Sequence, residues 1–166
     1  MTKVFSFAVG LTNESVVVRV AGHATREHSP AFVTFISAIV KQSSGQRLVV
    51  DLGTCQFLDS TFLGCLVVLY RRTQSHMCLC ATEPQREQLF SSARIDRLIP
   101  VLQPGLVASP TDWQDIRIDH GCDDEDLVRN VAVAHRCLTD IEGPNADLYR
   151  DVADQLESEL ESRSSD

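Results

Sequence analysis

Six residues, Arg47-Leu48-Val49-Val50-Asp51-Leu52, form a short and nearly continuous apolar run. The run is too short for an amphipathic helix, and it lacks the alternation of a strand with one wet face. It predicts a central strand buried on both sides, which requires further strands beside it and helices packed on it. The rest of the chain supplies them. Val4–Val9 and Ser15–Val20 are β-branched or aromatic runs separated by Gly10-Leu11-Thr12-Asn13-Glu14, a length suited to a hairpin. Ser29-Pro30 offers a cap followed by a proline at the first helical position, and Phe32, Phe35, Ile36, Ile39 and Val40 then recur at helical spacing until Ser43-Ser44-Gly45. A turn is expected after Leu52. Asp59-Ser60-Thr61 next gives three successive capping residues ahead of Leu63, Leu66, Val67, Leu69 and Tyr70, a second helix ending near Arg71-Arg72. His76–Ala81 reads as a fourth strand, and Glu83-Pro84 opens a third helix through Leu89 and Phe90. The expected fold class is α/β: a mixed β-sheet with helices packed on it, in the order ββαβαβα.

Charge divides the chain. Residues 1–110 carry a balance of +3 and residues 111–166 a balance of −11, within a net charge of −8. The break falls in the Pro- and Gly-punctuated stretch 103–110, so a domain boundary is expected at 110, with an acidic helical extension over 111–166. In that extension Leu127, Val128, Val131, Ala134, Leu138 and Ile141 share one helical face, Gly143-Pro144 stops the helix, and Asn145 can cap a second helix carrying Leu148, Tyr149, Val152, Leu156 and Leu160. The pattern is an antiparallel helical hairpin with a solvated acidic face. The lone Trp113 is expected to pin this tail to the domain.

Several function classes fall away. The longest apolar run, around Phe62–Tyr70, is far short of the roughly 20 residues that span a bilayer, and Met1-Thr2-Lys3-Val4-Phe5 has no secretory pattern, so a cytoplasmic protein is expected. Acidic overall balance speaks against nucleic-acid binding. Cys55, Cys65, Cys78, Cys80, Cys122 and Cys137 show no zinc or redox spacing and read as buried thiols in a reducing compartment. Cys78 and Cys80 point to one face of their strand as packing residues, and His23 and His28 flank a loop without a catalytic constellation. No cofactor, no metal and no enzymatic activity are expected.

The segment from Arg47 through Asp59-Ser60-Thr61-Phe62-Leu63-Gly64 resembles the centre of a STAS domain, the fold of bacterial anti-sigma factor antagonists. There a buried strand ending in Asp and Leu runs through a short turn into an Asp-Ser-Ser/Thr-Gly-Leu-Gly helix start. The resemblance covers about residues 4–108, with Gly22 after the second strand as a further match; Phe62 stands where the family usually has glycine, and His23-Ala24-Thr25 where an apolar residue and an aspartate usually follow the glycine.

By this resemblance Ser60 is the phosphoacceptor and Thr61 a second candidate. Asp59 is its neighbour in the kinase contact, and the partner face comprises Asp59, Ser60, Thr61, Phe62, Gly22 and His23. The implied partners are a kinase-like anti-sigma factor and a phosphatase, in partner-switching control of transcription. The physics is independent of the family: a phosphate at Ser60 would lie beside unpaired N–H groups of a helix start, yet would bring about −1.5 to −2 charges next to Asp59. From spacing alone plain helix capping is the favoured reading of Asp59-Ser60-Thr61, and it is the family resemblance that turns the reading to a regulatory site. The alternatives are a non-phosphorylated structural STAS subunit of a larger complex, such as a lipid transporter or sensory assembly, and an acidic tail that itself acts as effector by mimicking an anionic ligand or covering its own domain. A homodimer is compatible with the sequence.

Overall fold

The computed structural model describes residues 4–43, 45–118 and 123–165. The expected order is present: β1 (Ser6–Leu11), β2 (Ser15–Ala24), α1 (Ser29–Gln42), β3 (Arg47–Leu58), α2 (Ser60–Arg72), β4 (Met77–Cys80) and α3 (Glu83–Leu89). Two short strands extend it, β5 (Val101–Leu102) and β6 (Gln114–Ile116), and two helices close the chain, α4 (Asp124–Leu138) and α5 (Ala146–Ser164). The sheet order is β5-β4-β3-β2-β1-β6. β1 is antiparallel to β2 and β6, whereas β2, β3, β4 and β5 run parallel. β6 lies beyond residue 110 and still pairs with β1, so the chain on the far side of the charge break contributes to the sheet.

β3 is buried on both faces over its first half. Leu48, Val50 and Leu52 enter the main core with Phe32, Ile36, Phe62, Leu63 and Leu66, while Val49 joins Val17, Cys78 and Cys80 on the opposite face. The helices cover the first face. The second is covered by Leu102, Val107 and Trp113, and the Arg19 guanidinium lies 3.9 Å from the Trp113 ring centroid. Trp113 thus fastens the linker to the sheet, as expected.

Three expectations about turns and caps change. The turn placed after Leu52 is absent, because β3 continues to Leu58 alongside the end of β2. Two register shifts put extra residues into β3, and Gly22 meets them at φ 77°, a conformation that costs glycine little. Three carbonyls of this irregular stretch accept from α3: Gln85 Nε2 donates to Leu52 O (3.2 Å) and Gly53 O (2.8 Å), and Gln88 Nε2 to Gln56 O (3.1 Å). Second, α1 begins at Ser29 with His28 as its cap position; the Ser29 hydroxyl donates to Arg26 O at 2.9 Å and is not itself the cap. Third, Asn145 does not cap α5 with its side chain, because its amide donates to Ser92 O (3.0 Å) beside the Tyr149 hydroxyl, which donates to the same carbonyl (2.8 Å).

α4 is capped by Asp123, whose Oδ1 accepts the Asp126 N–H at 2.8 Å, and it starts on Asp124, Glu125 and Asp126, which suit the positive end of the helix dipole. Arg136 on α4 pairs with Asp154 and Glu157 on α5. Tyr149 and Ala153 are buried, but Leu148, expected on the apolar face, is 58% exposed. The hairpin does not stand clear of the domain, since α4 lies along α2 and its Ala134, Cys137 and Leu138 join the main core.

Candidate functional site

Asp59 organises the start of α2. Its backbone N–H donates to Ala24 O (3.1 Å) and its carbonyl accepts from Leu63 N–H (3.0 Å). Oδ1 accepts from Phe62 N–H at 2.8 Å and Oδ2 from Arg26 N–H at 2.6 Å. One carboxylate therefore caps α2 and ties it to the β2–α1 loop. The sequence explains this: β3 must leave the sheet at Leu58, and a short acceptor side chain at the next position takes up an orphan helix donor.

Ser60 is the first residue of α2 and is half-buried. Its Oγ lies 3.0 Å from His135 Nε2, on α4 of the extension, while His135 Nδ1 lies 2.8 Å from Val131 O. A carbonyl only accepts, so Nδ1 carries the hydrogen, and in the neutral ring Nε2 accepts from the Ser60 hydroxyl. His135 is 6% exposed, its ring edge-on to Tyr149 with centroids 5.6 Å apart. The Ser60 hydroxyl opens onto a pocket of about 580 Å³ whose wall combines Arg26, Asp59 and Thr61 with Leu127, Val131 and Leu156 of the hairpin. The site is built from both halves of the chain.

Other expected site residues lie elsewhere. Phe62, placed on the partner face from sequence, is fully buried; its ring packs against Phe32 (4.9 Å) and Phe5 (5.9 Å) because the third residue of α2 points at the sheet. It therefore offers no surface to a partner. Thr61 is 3% exposed and lines the pocket wall. Gly22 and His23 sit near the end of β2, opposite Cys55 and Phe57, with the His23 ring 5.7 Å from that of Phe57; neither lines the Ser60 pocket.

Tight packing fixes the hairpin over this site. A Cβ on Gly64, one turn after Ser60, would overlap the Ala134 backbone, so the two helices meet at backbone contact. Asn130 Nδ2 on α4 donates to Ser29 Oγ (2.8 Å) and lies 3.6 Å from Cys65 Sγ. Arg71 reaches Asp140 at 2.7 Å and Cys137 Sγ at 3.4 Å. Burial pushes the Cys65 thiol up to about 11, with the hydrogen bonds to Ser29 and Asn130 opposing it, and raises Cys137 in the same direction. The five described cysteines are free. Among the described residues, no cluster of three or more His, Cys, Asp or Glu is placed to hold a metal ion, and no helix is long and apolar enough to cross a membrane.

His135, Arg26, Gly64 and Asn130 were not singled out from sequence as site residues. Only His135 carries a readable signal: it falls four residues after Val131, inside the apolar stripe of α4, where a polar ring must find a partner.

Comparison with known families adds the name that the architecture supports. The family described as "Mlab, STAS domain" matches residues 7–103, from β1 to the turn after β5. A comparison with curated proteins gives no match. A mixed sheet with helices on its main face, a buried strand leading into a capped α2, and a match over more than half of the chain make this protein a member of the STAS domain family.

Proposed function

We propose that the protein is a regulatory binding module of the anti-sigma factor antagonist type, active in the cytoplasm. It associates reversibly with a kinase-like anti-sigma partner, which phosphorylates Ser60, and a phosphatase resets it. Residues 1–110 form the STAS unit of this reading and residues 111–166 its acidic extension. The observation that carries the proposal is the position of Ser60: first residue of α2, directly after the Asp59 cap, with its hydroxyl turned to a pocket that also contains Arg26. A phosphate there would have helix N–H groups nearby and Arg26 in the same pocket wall, while its charge beside Asp59 would repel a surface shaped for neutral serine. Binding and release are then set by one covalent change, and the protein catalyses nothing itself.

The enclosure of that site favours a second reading. Ser60 is hydrogen-bonded to the extension and Thr61 is buried, which suits a structural STAS subunit that docks into a larger assembly without phosphate transfer. One experiment separates the two. Full-length Ser60→Ala and Ser60→Asp baits are presented to extract of the source organism, and retained proteins are identified by mass spectrometry. Partner switching requires a kinase-like protein held by the alanine form and lost from the aspartate form. Equal retention of the same assembly subunits by both removes the switch.

A further inference from the structure

The Ser60–His135 contact joins the two halves of the chain at the residue whose modification the proposed function requires. We infer that His135 is a built-in receptor for phosphate at Ser60: its ring, protonated, donates to the phosphate and clamps the α4–α5 hairpin over the start of α2. This rests on Ser60 being the modified residue, and it gives the acidic extension a role in the charged form. The ligand is a phosphate monoester held within the same chain.

The charge around Ser60 differs from that of the extension as a whole. Residues 111–166 carry −11, yet those in the Ser60 pocket wall include no carboxylate: Leu127, Val128, Val131, Val152 and Leu156 are apolar, and only His135 can carry charge. The body adds Arg26, the only Lys or Arg of the lining, and Asp59, whose two oxygens already accept from Phe62 and Arg26 N–H. Tyr149 on α5 stands edge-on to the ring. The titratable groups that neighbouring elements bring to this pocket and ring are therefore Asp59, Arg26 and Tyr149.

The hydrogen-bond chemistry sets the direction. In the unmodified chain the Ser60 hydroxyl gives its hydrogen to Nε2 at 3.0 Å, because Nδ1 gives its own to Val131 O at 2.8 Å. Phosphorylation removes the hydroxyl hydrogen and puts acceptor oxygens in its place, so a bare Nε2 would face an acceptor. Imidazole is the side chain whose charge changes nearest neutral pH. Beside a dianion the ring takes one proton from solvent at Nε2, while Nδ1 keeps its hydrogen on Val131 O. A neutral hydrogen bond becomes a charge-assisted one, roughly twice as strong, in a wall whose apolar side chains screen it less than water would. The ring is already aimed, since Val131 lies on its own helix and Tyr149 is tied to Ser92 O. The pocket of about 580 Å³ has room for a phosphate with water.

The clamp acts in the same sense as the proposed partner switch. With Gly64 at backbone contact with Ala134, the docked hairpin covers the face of α2 on which the family resemblance places the partner. Among the described residues the hairpin adds no strand to the sheet, and one neutral hydrogen bond joins Ser60 to it, so the unmodified chain can open there. A partner that needs the open form binds in proportion to its population, and phosphate lowers that population. Ser60→Ala deletes the latch and favours capture; Ser60→Asp gives His135 a carboxylate and favours loss.

The test uses the full-length protein with phosphoserine installed at position 60 during synthesis, beside the unmodified chain, each with His135 intact, as His135→Ala and as His135→Gln. Long-range proton–nitrogen NMR near neutral pH should show a hydrogen on Nδ1 alone in the unmodified chain and on both ring nitrogens in the phosphorylated one. Opening is followed by N-ethylmaleimide labelling, read cysteine by cysteine by mass spectrometry. Cys65 on α2 and Cys137 on α4 are buried in the hairpin contact, whereas Cys78 and Cys80 are buried on the opposite face of the sheet. Burial raises all four thiols, so each reacts slowly until its surroundings open. Phosphate should slow Cys65 and Cys137 about tenfold, the gain from a neutral to a charge-assisted bond, with Cys78 and Cys80 unchanged. His135→Ala should abolish the slowing, and His135→Gln, an uncharged donor, should retain only part of it.

A bare Nε2 in the phosphorylated chain would overturn the inference. So would faster labelling of Cys65 and Cys137, equal slowing of all four thiols, or slowing that survives whole in both His135 variants. Should His135→Ala fail to fold, the ring spectrum and His135→Gln decide. The two proposals fail separately, because the phosphate is installed without the partner. Equal capture by both baits removes the partner reading whatever the ring does, and a ring that ignores the phosphate removes the clamp whatever the baits capture.

Discussion

The sheet with α1–α3 and the α4–α5 hairpin are held together by different means. In the first, strands pair on both sides of β3, and Phe32, Phe62, Leu63 and Leu66 are fully enclosed between helices and sheet. In the second, α4 rests on α2, Asn145 and Tyr149 tie the start of α5 to Ser92 O, and the outer surface carries ion pairs: Arg136 with Asp154 and Glu157, Arg129 with Glu125, and Arg150 with Asp147. Exposed pairs of this kind are each worth little and weaken with salt. The contrast teaches where a switch can reside. A body closed by cross-strand hydrogen bonds resists partial opening, while a hairpin that adds no strand to the sheet can open as a unit.

The most severe way to break that contrast is to strike the shared core. Phe62→Ala removes a fully buried ring packed between Phe5 and Phe32 and should cost about 3–5 kcal/mol. Its urea unfolding midpoint should fall for sheet and hairpin together; a shift seen only in the hairpin would mean that the ring does not serve the common core. Gly64→Ala should act on the second region alone. The added methyl overlaps the Ala134 backbone, an overpacking cost of about 1–3 kcal/mol unless the hairpin moves away. Hydrogen exchange should then show α4 and α5 unprotected and β2–β4 as in the parent, and uniform loss of protection would remove the distinction.

Asp59→Ala tests the joint between strand and helix. It frees the N–H groups of Phe62 and Arg26 and should cost about 1–2 kcal/mol in thermal or urea unfolding. Asp59→Asn keeps one acceptor oxygen and turns an amide NH2 toward the other N–H, so it should recover only part of the loss, and full recovery would mean that only one of the two bonds contributes. The smallest expected effect is that of acid on the hairpin. Arg136 holds the Glu157 carboxyl below its usual value of 4.5, so the contribution of this pair is full above that pH and fades as the pH falls through the lower folded value. Helical circular dichroism should show α4–α5 loosening earlier in acid than the sheet does, and Glu157→Gln should remove that early phase.

Much of the body could be read from residues in order. Arg47–Leu52 announced a strand buried on both faces, Asp59 announced the helix start, and the two hairpin strands followed from their β-branched runs. Local chemistry sufficed there because each signal acts on its own neighbours. The second half of β3 was not legible, since Gly53-Thr54-Cys55-Gln56 looks like a turn until Gly22 and the α3 glutamines are set beside it. Phe62 was misplaced for the same reason: its neighbours in sequence belong to a helix start, but its ring answers to Phe5 and Phe32.

The site divides along the same line. By itself the sequence determined the element order, the Asp59 cap, Ser60 at the first turn of α2, and the separation of a slightly basic body from an acidic tail, all of which follow from local propensity and composition. Only the tertiary structure decided that His135, 75 positions away, meets the Ser60 hydroxyl, and that α4 reaches α2 across Gly64 and Ala134. Periodicity marks which face of a helix is apolar, but not which surface that face will cover. That choice depends on shape and on pairing every buried polar group at once, conditions that exist only when the chain is folded.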